Sequence, residues 1–416
     1  MDNVQQEVDR LYKDHFGKMV ASLLYFSRDI DLETAEDIVQ DSFSAALSSW
    51  RKDGIPANPA GWLFRVCRNN ALNKIKEGKK FTRLFETEES RTEEIKYASS
   101  ILKDQQLRLL FASAHPDFAP KVQVVITLKY VVNLKVEAIA RILAMSIDGV
   151  DKLLVRARQK IRDEKILLEE PSFSDLEPRL PIVHKIIYLV FNEGYKSSWG
   201  KEIIREELCE DALLMTKALI DSNIANKETQ ALYALMLFNA ARFRARFGQS
   251  GELLDLESQD RELWNKDLII LACHFLKQCE TKTISSYHYE AAIAYLHCMA
   301  KSFEETDWLA ITNIYRQLLK NYPNPFVELN YAIALYYSGK RQNAMDILLE
   351  LKQKPFLNQY YLLNATLGKI YFLEDNFKLA KEYFQLTLQQ TNFQAEKEFI
   401  QKMIKKTEIN EKAVQN

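Results

Sequence analysis

Residues 136–160 read VEAIARILAMSIDGVDKLLVRARQK, and they predict two short helices joined by a tight turn. Apolar residues recur at helical spacing in the first part, and residues 144–146 supply the turn. Ser146 is placed to cap the second helix, whose first turn carries Asp148 and Asp151. Such a pair, with a capped and basic second helix, forms the helix-turn-helix that enters a DNA major groove. A helical hairpin with a solvated basic face is the alternative.

The composition predicts an all-α protein with several domains. The chain has 416 residues, of which 47% are hydrophobic and 27% charged, with only 11 glycines and 10 prolines. So few turn residues argue against an all-β fold, and long runs of Leu, Ala, Glu and Lys favour helices. A chain of this length exceeds a single hydrophobic core.

Positive charge is concentrated in two places, although the formal net charge is only −1. Residues 121–165 hold ten Lys/Arg against five Asp/Glu, a net of +5. Residues 65–83 hold seven against one, a net of +6. Local basic segments in a neutral chain are typical of a protein that binds phosphates at particular places.

Several classes of protein are disfavoured. Five cysteines without a CxxC pair predict buried, reduced thiols and a cytoplasmic protein. The scattered histidines predict no metal site, and the lack of a glycine-rich phosphate loop predicts no nucleotide cofactor. No apolar run approaches the roughly 20 residues that span a bilayer, and the polar N-terminus is not a signal peptide, so we expect no membrane association.

The chain divides into four segments by composition. Residues 1–83 have helical periodicity and end in basic residues, and residues 84–104 form an acidic, polar linker. Residues 105–168 contain the helix-turn-helix. Residues 169–416 predict long helices rich in Tyr, Leu and Ala, with prolines, including those at 178 and 181, as punctuation.

An internal repeat lies near the C-terminus, at an offset of 36 residues. Ala332, Leu335, Ala344 and Leu348 recur as Gly368, Tyr371, Ala380 and Phe384. A repeat of about this length, with small residues where two helices touch, resembles tetratricopeptide repeats. Such repeats stack into a curved superhelix and form interaction surfaces. Chance similarity between two amphipathic hairpins is the alternative.

Two further motifs lie in the first segment. Residues 35–43 (AEDIVQDSF) place apolar side chains on one helix face and Glu36, Asp37, Gln40 and Asp41 on another. This acidic and polar face is either a functional surface or an ordinary solvated helix face. Residues 58–76 (NPAGWLFRVCRNNALNKIK) begin with a proline-marked helix start and carry interleaved aromatic, amide and basic side chains. These side chains suit a single-stranded or melting DNA strand.

The order of these features resembles the extracytoplasmic-function group of sigma-70 factors, which are bacterial RNA polymerase initiation subunits with two domains joined by a linker. The resemblance covers roughly residues 10–165. It implies a non-enzymatic protein whose partners are promoter DNA and core RNA polymerase, at the β′ clamp and the β flap. A helix-turn-helix repressor and a repeat scaffold without sigma activity remain as alternatives.

Each motif has a role that the resemblance implies. The 35–43 helix docks on the polymerase through Asp37, Gln40 and Asp41. The following basic segment recognises and opens the −10 element through Trp62, Arg65, Arg68, Asn69, Asn73 and Lys76. The second helix of the helix-turn-helix reads the −35 element through Ser146, Asp148, Lys152, Arg156 and Arg158. The family usually has a basic residue at the position of Leu153 and often Asp at the position of Asn73. These two departures leave the promoter preference open.

The resemblance extends to a subgroup with a long helical C-terminal extension, and FNEGY at residues 191–195 is its most specific mark. It implies that the extension is needed for activity, and a protein or a small molecule would regulate it. FNEGY predicts a helix end with Gly194 in the left-handed conformation and Asn192 and Glu193 bonding backbone groups, in preference to a catalytic site. The remaining motif residues are Tyr195, Asp260, Arg261 and Trp264. The last three predict a buried polar cluster that orients helices, with an ordinary ion pair within the chain or a ligand pocket as the alternatives.

Overall fold

The computed structural model describes residues 3–27, 30–79, 107–164, 166, 168, 173–197, 204–222, 224–248, 252–358, 360–391 and 393–415. Apart from an isolated bridge between Phe247 and Leu253, these residues form helices, turns and loops without a β-strand. The all-α prediction is therefore confirmed. The acidic linker predicted at residues 84–104 lies outside the described residues.

The chain forms two compact units, Met1–Gly194 with Glu210–Ile224 and Tyr195–Cys209 with Ala225–Asn416. The helices of the first unit are α1 (Asn3–Phe26), α2 (Leu32–Asp53), α3 (Pro59–Lys79), α4 (residues 107–113), α5 (Pro120–Tyr130), α6 (Val136–Ile142), α7 (Ile147–Asp163), most of α8 (Phe173–Tyr195) and most of α9 (Glu206–Asp221). The predicted domain boundaries stay predictions.

Helices α1, α2 and α3 pack against each other around aromatic residues. The Asp31 side chain accepts a hydrogen bond from the Thr34 backbone at the start of α2, and Gly54 follows its end with a φ of 86°. Trp50, 2% exposed, closes one end of this core with its ring 5.4 Å from that of Trp62. The caps fix the length of α2 and hence which of its residues reach the surface.

The second unit is built from helices in hairpins. They are α10 (Lys227–Ala240), α11 (Lys266–Gln278), α12 (Ser286–Met299), α13 (Trp308–Asn321), α14 (Pro325–Tyr337), α15 (Arg341–Lys352), α16 (Pro355–Asn358), α17 (Tyr361–Leu373), α18 (Phe377–Gln390) and α19 (Gln394–Gln415). The hairpin of α14 and α15 and that of α17 and α18 carry the 36-residue repeat, and its four small residues are buried. The predicted helical repeat is confirmed.

Two local predictions about α8 are wrong. Pro178 and Pro181 lie inside the helix, and the helix continues through Gly194 to Tyr195. FNEGY is therefore the last part of a helix, and Gly194 does not end it in a left-handed conformation. A stripe of fully buried side chains runs along α8 and outweighs the backbone hydrogen bonds that the prolines remove: Leu180, Val183, Ile187 and Val190.

We expect Gly368→Ala to destabilise the second unit. A Cβ atom at Gly368 would lie 2.8 Å from ring carbons of Phe384, whose side chain is only 2% exposed. The overpacking costs about 1–3 kcal/mol of unfolding free energy, which exceeds the gain of at most about 1 kcal/mol that Ala gives a helix. Urea denaturation followed by circular dichroism measures the change. Phe384→Leu in the same chain should recover part of the loss, and a Gly368→Ala protein as stable as the wild type would contradict the prediction.

Candidate nucleic-acid interface

Helices α6 and α7 form the predicted helix-turn-helix. The turn places Ala144 in the left-handed region at a φ of 49°. The Ser146 hydroxyl accepts a hydrogen bond of 3.1 Å from the Gly149 backbone and so caps α7. The stripe expected to face the core is buried: Val150, Leu154, Ala157 and Ile161. Local sequence signals thus identified this motif correctly.

The residues predicted to read the −35 element differ in their surroundings. Ser146, Asp148, Lys152 and Arg156 are exposed. Asp148 and Lys152 form an exposed ion pair of 2.7 Å, one turn apart on α7. Arg158 is half-buried, and its Nη1 atom lies 3.8 Å from a carboxylate oxygen of Glu33 on α2. Among the predicted cations of α7, Lys152 and Arg156 are therefore exposed, whereas Arg158 is partly covered.

The α2 helix presents the predicted polar face, with one exception. Asp37, Gln40 and Asp41 are exposed, whereas Ala35, Ile38, Val39 and Phe43 are buried. Glu36 was expected on the exposed face, but it is only 8% exposed. Its carboxylate lies 3.0 Å from the Lys129 ammonium group of α5, and the Gln40 side chain donates to it. The prediction for Glu36 is wrong because α5 covers that edge of α2.

The α3 helix carries an exposed basic and amide face. Asn58 caps its start by accepting a hydrogen bond of 2.9 Å from the Gly61 backbone. The predicted −10 residues Arg65, Arg68, Asn69, Asn73 and Lys76 are all exposed, opposite the buried residues Leu63, Cys67 and Ala71. Trp62 differs, since its half-buried ring packs against Trp50. Burial also raises the pKa of the Cys67 thiol to about 12, which makes it unreactive.

Helices α1–α3 contact α5–α7 through residues that the sequence patterns did not single out. Glu33 lies 3.8 Å from Arg162 as well as from Arg158, and Asn133 donates a hydrogen bond of 3.4 Å to the Tyr12 carbonyl. Helical periodicity shows which face of a helix is polar, but it does not show which other helix covers that face. In the sequence, only the opposite charges of Glu33 and Arg162 indicated that these two residues could pair.

The motif around Trp264 joins segments of the second unit. Asp260 caps a short 3₁₀ turn by accepting from the Glu262 backbone. Arg261 donates to the carbonyls of His297 and Ala300 at 2.5 and 2.7 Å, at the end of α12. The guanidinium groups of Arg261 and Arg242 lie 4.7 and 5.3 Å from the centre of the buried Trp264 ring. These contacts orient α12 and the turn before α11.

The residues of the FNEGY motif also differ in exposure. Phe191 and Glu193 are buried, whereas Asn192 is exposed. Tyr195 accepts a hydrogen bond from Arg246 at its carbonyl, and the Arg246 guanidinium lies 4.0 Å above its ring. Next to it, the Lys196 ammonium group lies 3.0 Å from the buried Glu396 carboxylate of α19. Residues 195 and 196 therefore anchor this segment within the second unit.

A cavity of about 350 Å³ opens within the second unit. Aromatic and apolar side chains form most of its wall, including Phe303, Trp308, Ile333, Tyr337, Phe399 and Met403. Lys369 lies at the wall between Glu257, at 2.9 Å, and Asp255, at 3.8 Å. His297 also lines the cavity, and burial together with Arg242 and Arg261 lowers its pKa to about 3, so its ring is neutral near pH 7.

The described part of the chain contains neither a cluster of metal ligands nor a membrane-spanning helix. Within it, no group of three or more His, Cys, Asp or Glu side chains is arranged to hold a metal ion. None of the helices covered by the structure combines the length and the apolar character that crossing a membrane requires.

Comparisons with known proteins agree with this geometry. Sigma-70 region 2 matches residues 11–81, and Sigma-70, region 4 matches residues 118–161. A family of unknown function, DUF6596, matches residues 179–280. No solved structure matches the chain.

Two proteins illustrate the similarity. Uncharacterized protein R00370 of Rhizobium meliloti (strain 1021) is 34% identical over 357 residues, which is 84% of this chain and 84% of that protein. RNA polymerase sigma factor YlaC of Bacillus subtilis (strain 168) is 26% identical over 167 residues, 38% of this chain and 91% of that protein. The region 2 match coincides with α1–α3 and the region 4 match with α5–α7. The chain therefore belongs to the sigma-70 family of RNA polymerase sigma factors, in its extracytoplasmic-function group and in a subgroup with a long helical C-terminal extension.

Proposed function

We propose that the protein binds core RNA polymerase, directs promoter-specific initiation of transcription and is regulated through its C-terminal helical extension. The observation that carries this proposal is the presence of two separate exposed surfaces on the region 2 domain (α1–α3). One is the acidic and polar face of α2, and the other is the basic and amide face of α3. Separate surfaces allow one small domain to hold a protein partner and a DNA strand at the same time.

The α2 surface suits the polymerase. Asp37, Gln40 and Asp41 project from a helix whose opposite face is anchored in the core, so their positions are fixed before binding. Fixed carboxylates favour a basic partner surface and speed its association. In the proposal this surface contacts the β′ clamp, and the region 4 domain (α5–α7) contacts the β flap.

The α3 and α7 surfaces suit promoter DNA. On α3, Arg65, Arg68 and Lys76 supply charge for phosphates, and Asn69 and Asn73 supply amides for base edges. On α7, Ser146 fixes the start of the helix that enters the major groove, and Arg156 anchors it to the backbone. Trp62 serves in this proposal to hold the start of α3 against Trp50.

The alternatives explain less of the chain. A helix-turn-helix repressor requires neither the α2 surface nor the α3 surface, and a repeat scaffold requires no basic recognition helix. An enzyme built on FNEGY would need an accessible acid, whereas Glu193 is 4% exposed. The proposed protein is thus non-enzymatic and acts in the cytoplasm, where its polymerase acts.

The extension offers a place for a regulator. A cavity of about 350 Å³ is large enough for a small organic molecule, because such sites measure about 300–1,000 Å³. Its aromatic wall would bind an apolar body, and Asp255, Glu257 and Lys369 would orient polar groups. Alternatively, a protein regulator would bind the surface of the repeat hairpins.

Reversing charge on the α2 surface should weaken binding to core RNA polymerase. Asp37→Lys and Asp41→Lys place cations against a surface that is complementary to carboxylates, so we expect a roughly tenfold or greater loss of affinity. Co-elution of the purified proteins on size exclusion and a fluorescence titration measure it. Glu350→Lys makes the same charge change at an exposed position of α15 and serves as the control. Equal affinity of all three variants and the wild type would contradict the proposed surface.

Removing one cation from α7 should weaken promoter binding at all sequences. For Arg156→Ala in the reconstituted holoenzyme, we expect the slope of log affinity against log salt to fall by about one, as for the loss of one phosphate contact. Anisotropy of a labelled promoter fragment across a salt series measures the slope. Arg316→Ala, at an exposed position of α13, is the matched control. A slope that is the same in both variants would rule out Arg156 as a phosphate contact.

Truncation after Ile224 should lower promoter-specific transcription. This end point keeps every residue of the first compact unit and removes the repeat hairpins together with the cavity. Run-off transcription with core polymerase measures the change, and circular dichroism checks that the truncated protein folds. If the folded truncated protein transcribes as well as the full chain, the regulatory role of the extension is wrong.

A further inference from the structure

We propose that the cavity of the second unit binds an organic cation, namely an amine that carries an apolar or aromatic body. This ligand class rests on the proposed function in one respect, because the bound amine regulates transcription only if the extension does. The cavity lies among helices α12, α13, α14, α17, α18 and α19 and the turn at residues 255–257, which are far apart in the sequence. A molecule bound there would therefore contact several hairpins at once.

Three aromatic rings form one side of the cavity. The centre of the Phe303 ring lies 5.0 Å from that of Trp308 and 4.9 Å from that of Tyr337. The rings of Trp308 and Tyr337 are stacked, with their centres 4.9 Å apart. These mutual contacts fix the wall before a ligand binds, which lowers the entropic cost of binding. Because the faces of aromatic rings carry partial negative charge, such a wall attracts cations as well as apolar groups.

The charged groups at the wall favour the same ligand. The carboxylates of Glu257 and Asp255 lie 2.9 and 3.8 Å from a single ammonium group, that of Lys369. His297 is neutral near pH 7. Two carboxylates and one ammonium group leave a formal charge of −1 on the described residues that line the cavity. A ligand with one positive charge would neutralise it.

The carboxylates also act on the aromatic wall. Burial raises the pKa of the Tyr337 hydroxyl, and the nearby carboxylates of Glu257 and Asp255 raise it further. The hydroxyl therefore stays protonated, and the ring lies in a negative electrostatic field. A cation beside this ring would be attracted both by the ring face and by the carboxylates.

Two arginines near the cavity do not reverse this preference. Arg242 and Arg261 lie close enough to His297 to lower its pKa, but neither of them lines the cavity. Arg261 donates to the carbonyls of His297 and Ala300 at the end of α12. Both guanidinium groups lie over the ring of Trp264. Their charges are therefore engaged by groups outside the cavity.

An anionic ligand would meet unfavourable charges. To pair with Lys369, its anionic group would have to displace the Glu257 carboxylate, which lies 2.9 Å from the ammonium group. The displaced carboxylate and Asp255 would then repel the ligand. A neutral ligand would gain the apolar contacts alone. The wall thus predicts that a cation binds most tightly, a neutral molecule less tightly and an anion least tightly.

Three probes of similar size test this order with the full-length protein. Phenylbutylamine is cationic near pH 7, phenylbutanol is neutral and phenylbutyrate is anionic. Isothermal titration calorimetry measures their affinities. We expect the amine to bind about tenfold more tightly than phenylbutyrate, with the alcohol between them. Water limits the difference, because the Glu257 side chain is 37% exposed.

Two substitutions at the wall should change the affinity for the amine in opposite directions. Glu257→Gln removes a carboxylate, so the amine should bind about threefold to tenfold more weakly and phenylbutyrate more tightly. Lys369→Gln removes the ammonium group, so the amine should bind more tightly and phenylbutyrate more weakly. Glu262→Gln is the matched control, since it makes the same change as Glu257→Gln at a side chain that is 82% exposed and outside the cavity.

A third substitution locates the probes. Ala365 lies in the α17 wall, and Ala365→Phe would fill part of the cavity, so all three probes should bind more weakly. Circular dichroism checks that this variant folds. Hydrogen exchange of the wild-type protein gives the same information without a substitution, because the bound amine should protect residues 362–370.

Equal affinity for the three probes, or tightest binding of phenylbutyrate, would overturn the ligand class. So would the absence of amine binding at about 1 mM, or a change in the same direction in Glu257→Gln and Lys369→Gln. The result for transcription is separate. If the amine binds as expected but leaves transcription by the holoenzyme unchanged, the ligand class stands and regulation through the cavity fails. If truncation lowers transcription but no probe binds, the proposed function stands and the ligand class fails.

Discussion

The pairing of the Glu36 carboxylate constrains how α1–α3 and α5–α7 pack together in the first unit. A carboxylate that is 8% exposed needs a cation or hydrogen-bond donors, because an unpaired buried charge is far too costly. Glu36 obtains its cation from Lys129, which belongs to the other domain. The position of α2 relative to α5 therefore depends on this ion pair, and α1–α3 and α5–α7 are held together by polar as well as steric contacts.

This arrangement is suited to reversal. When two domains with a half-buried ion pair separate, both charges return to water, so the cost of desolvating them is recovered. An apolar interface of the same size would instead expose hydrophobic surface. The Glu33 contacts at 3.8 Å are weaker still and sensitive to salt.

Local signals in the sequence were sufficient for the elements and their caps. Ser146, the stripe of α7 and the 36-residue repeat followed from spacing, because caps and helical periodicity depend on neighbours within one or two turns. The predictions were wrong where contacts with distant parts of the chain determine the local structure. Glu36 is buried by another domain, and α8 continues through Pro178 and Gly194 because its apolar stripe is buried. No periodicity within one helix contains that information.

The same distinction applies to the site residues. The exposure of Arg65, Arg68, Asn69, Asn73 and Lys76 follows from their position opposite the core of α3, so a pattern could predict it. Arg158 and Arg156 lie two residues apart on one basic helix, yet only Arg158 contacts Glu33. Arg158 lies on the side of α7 that faces Glu33 of α2, whereas Arg156 lies on the exposed side. Which cations of α7 are exposed therefore depends on the packing of α2 beside it, and the sequence of α7 alone does not contain that information.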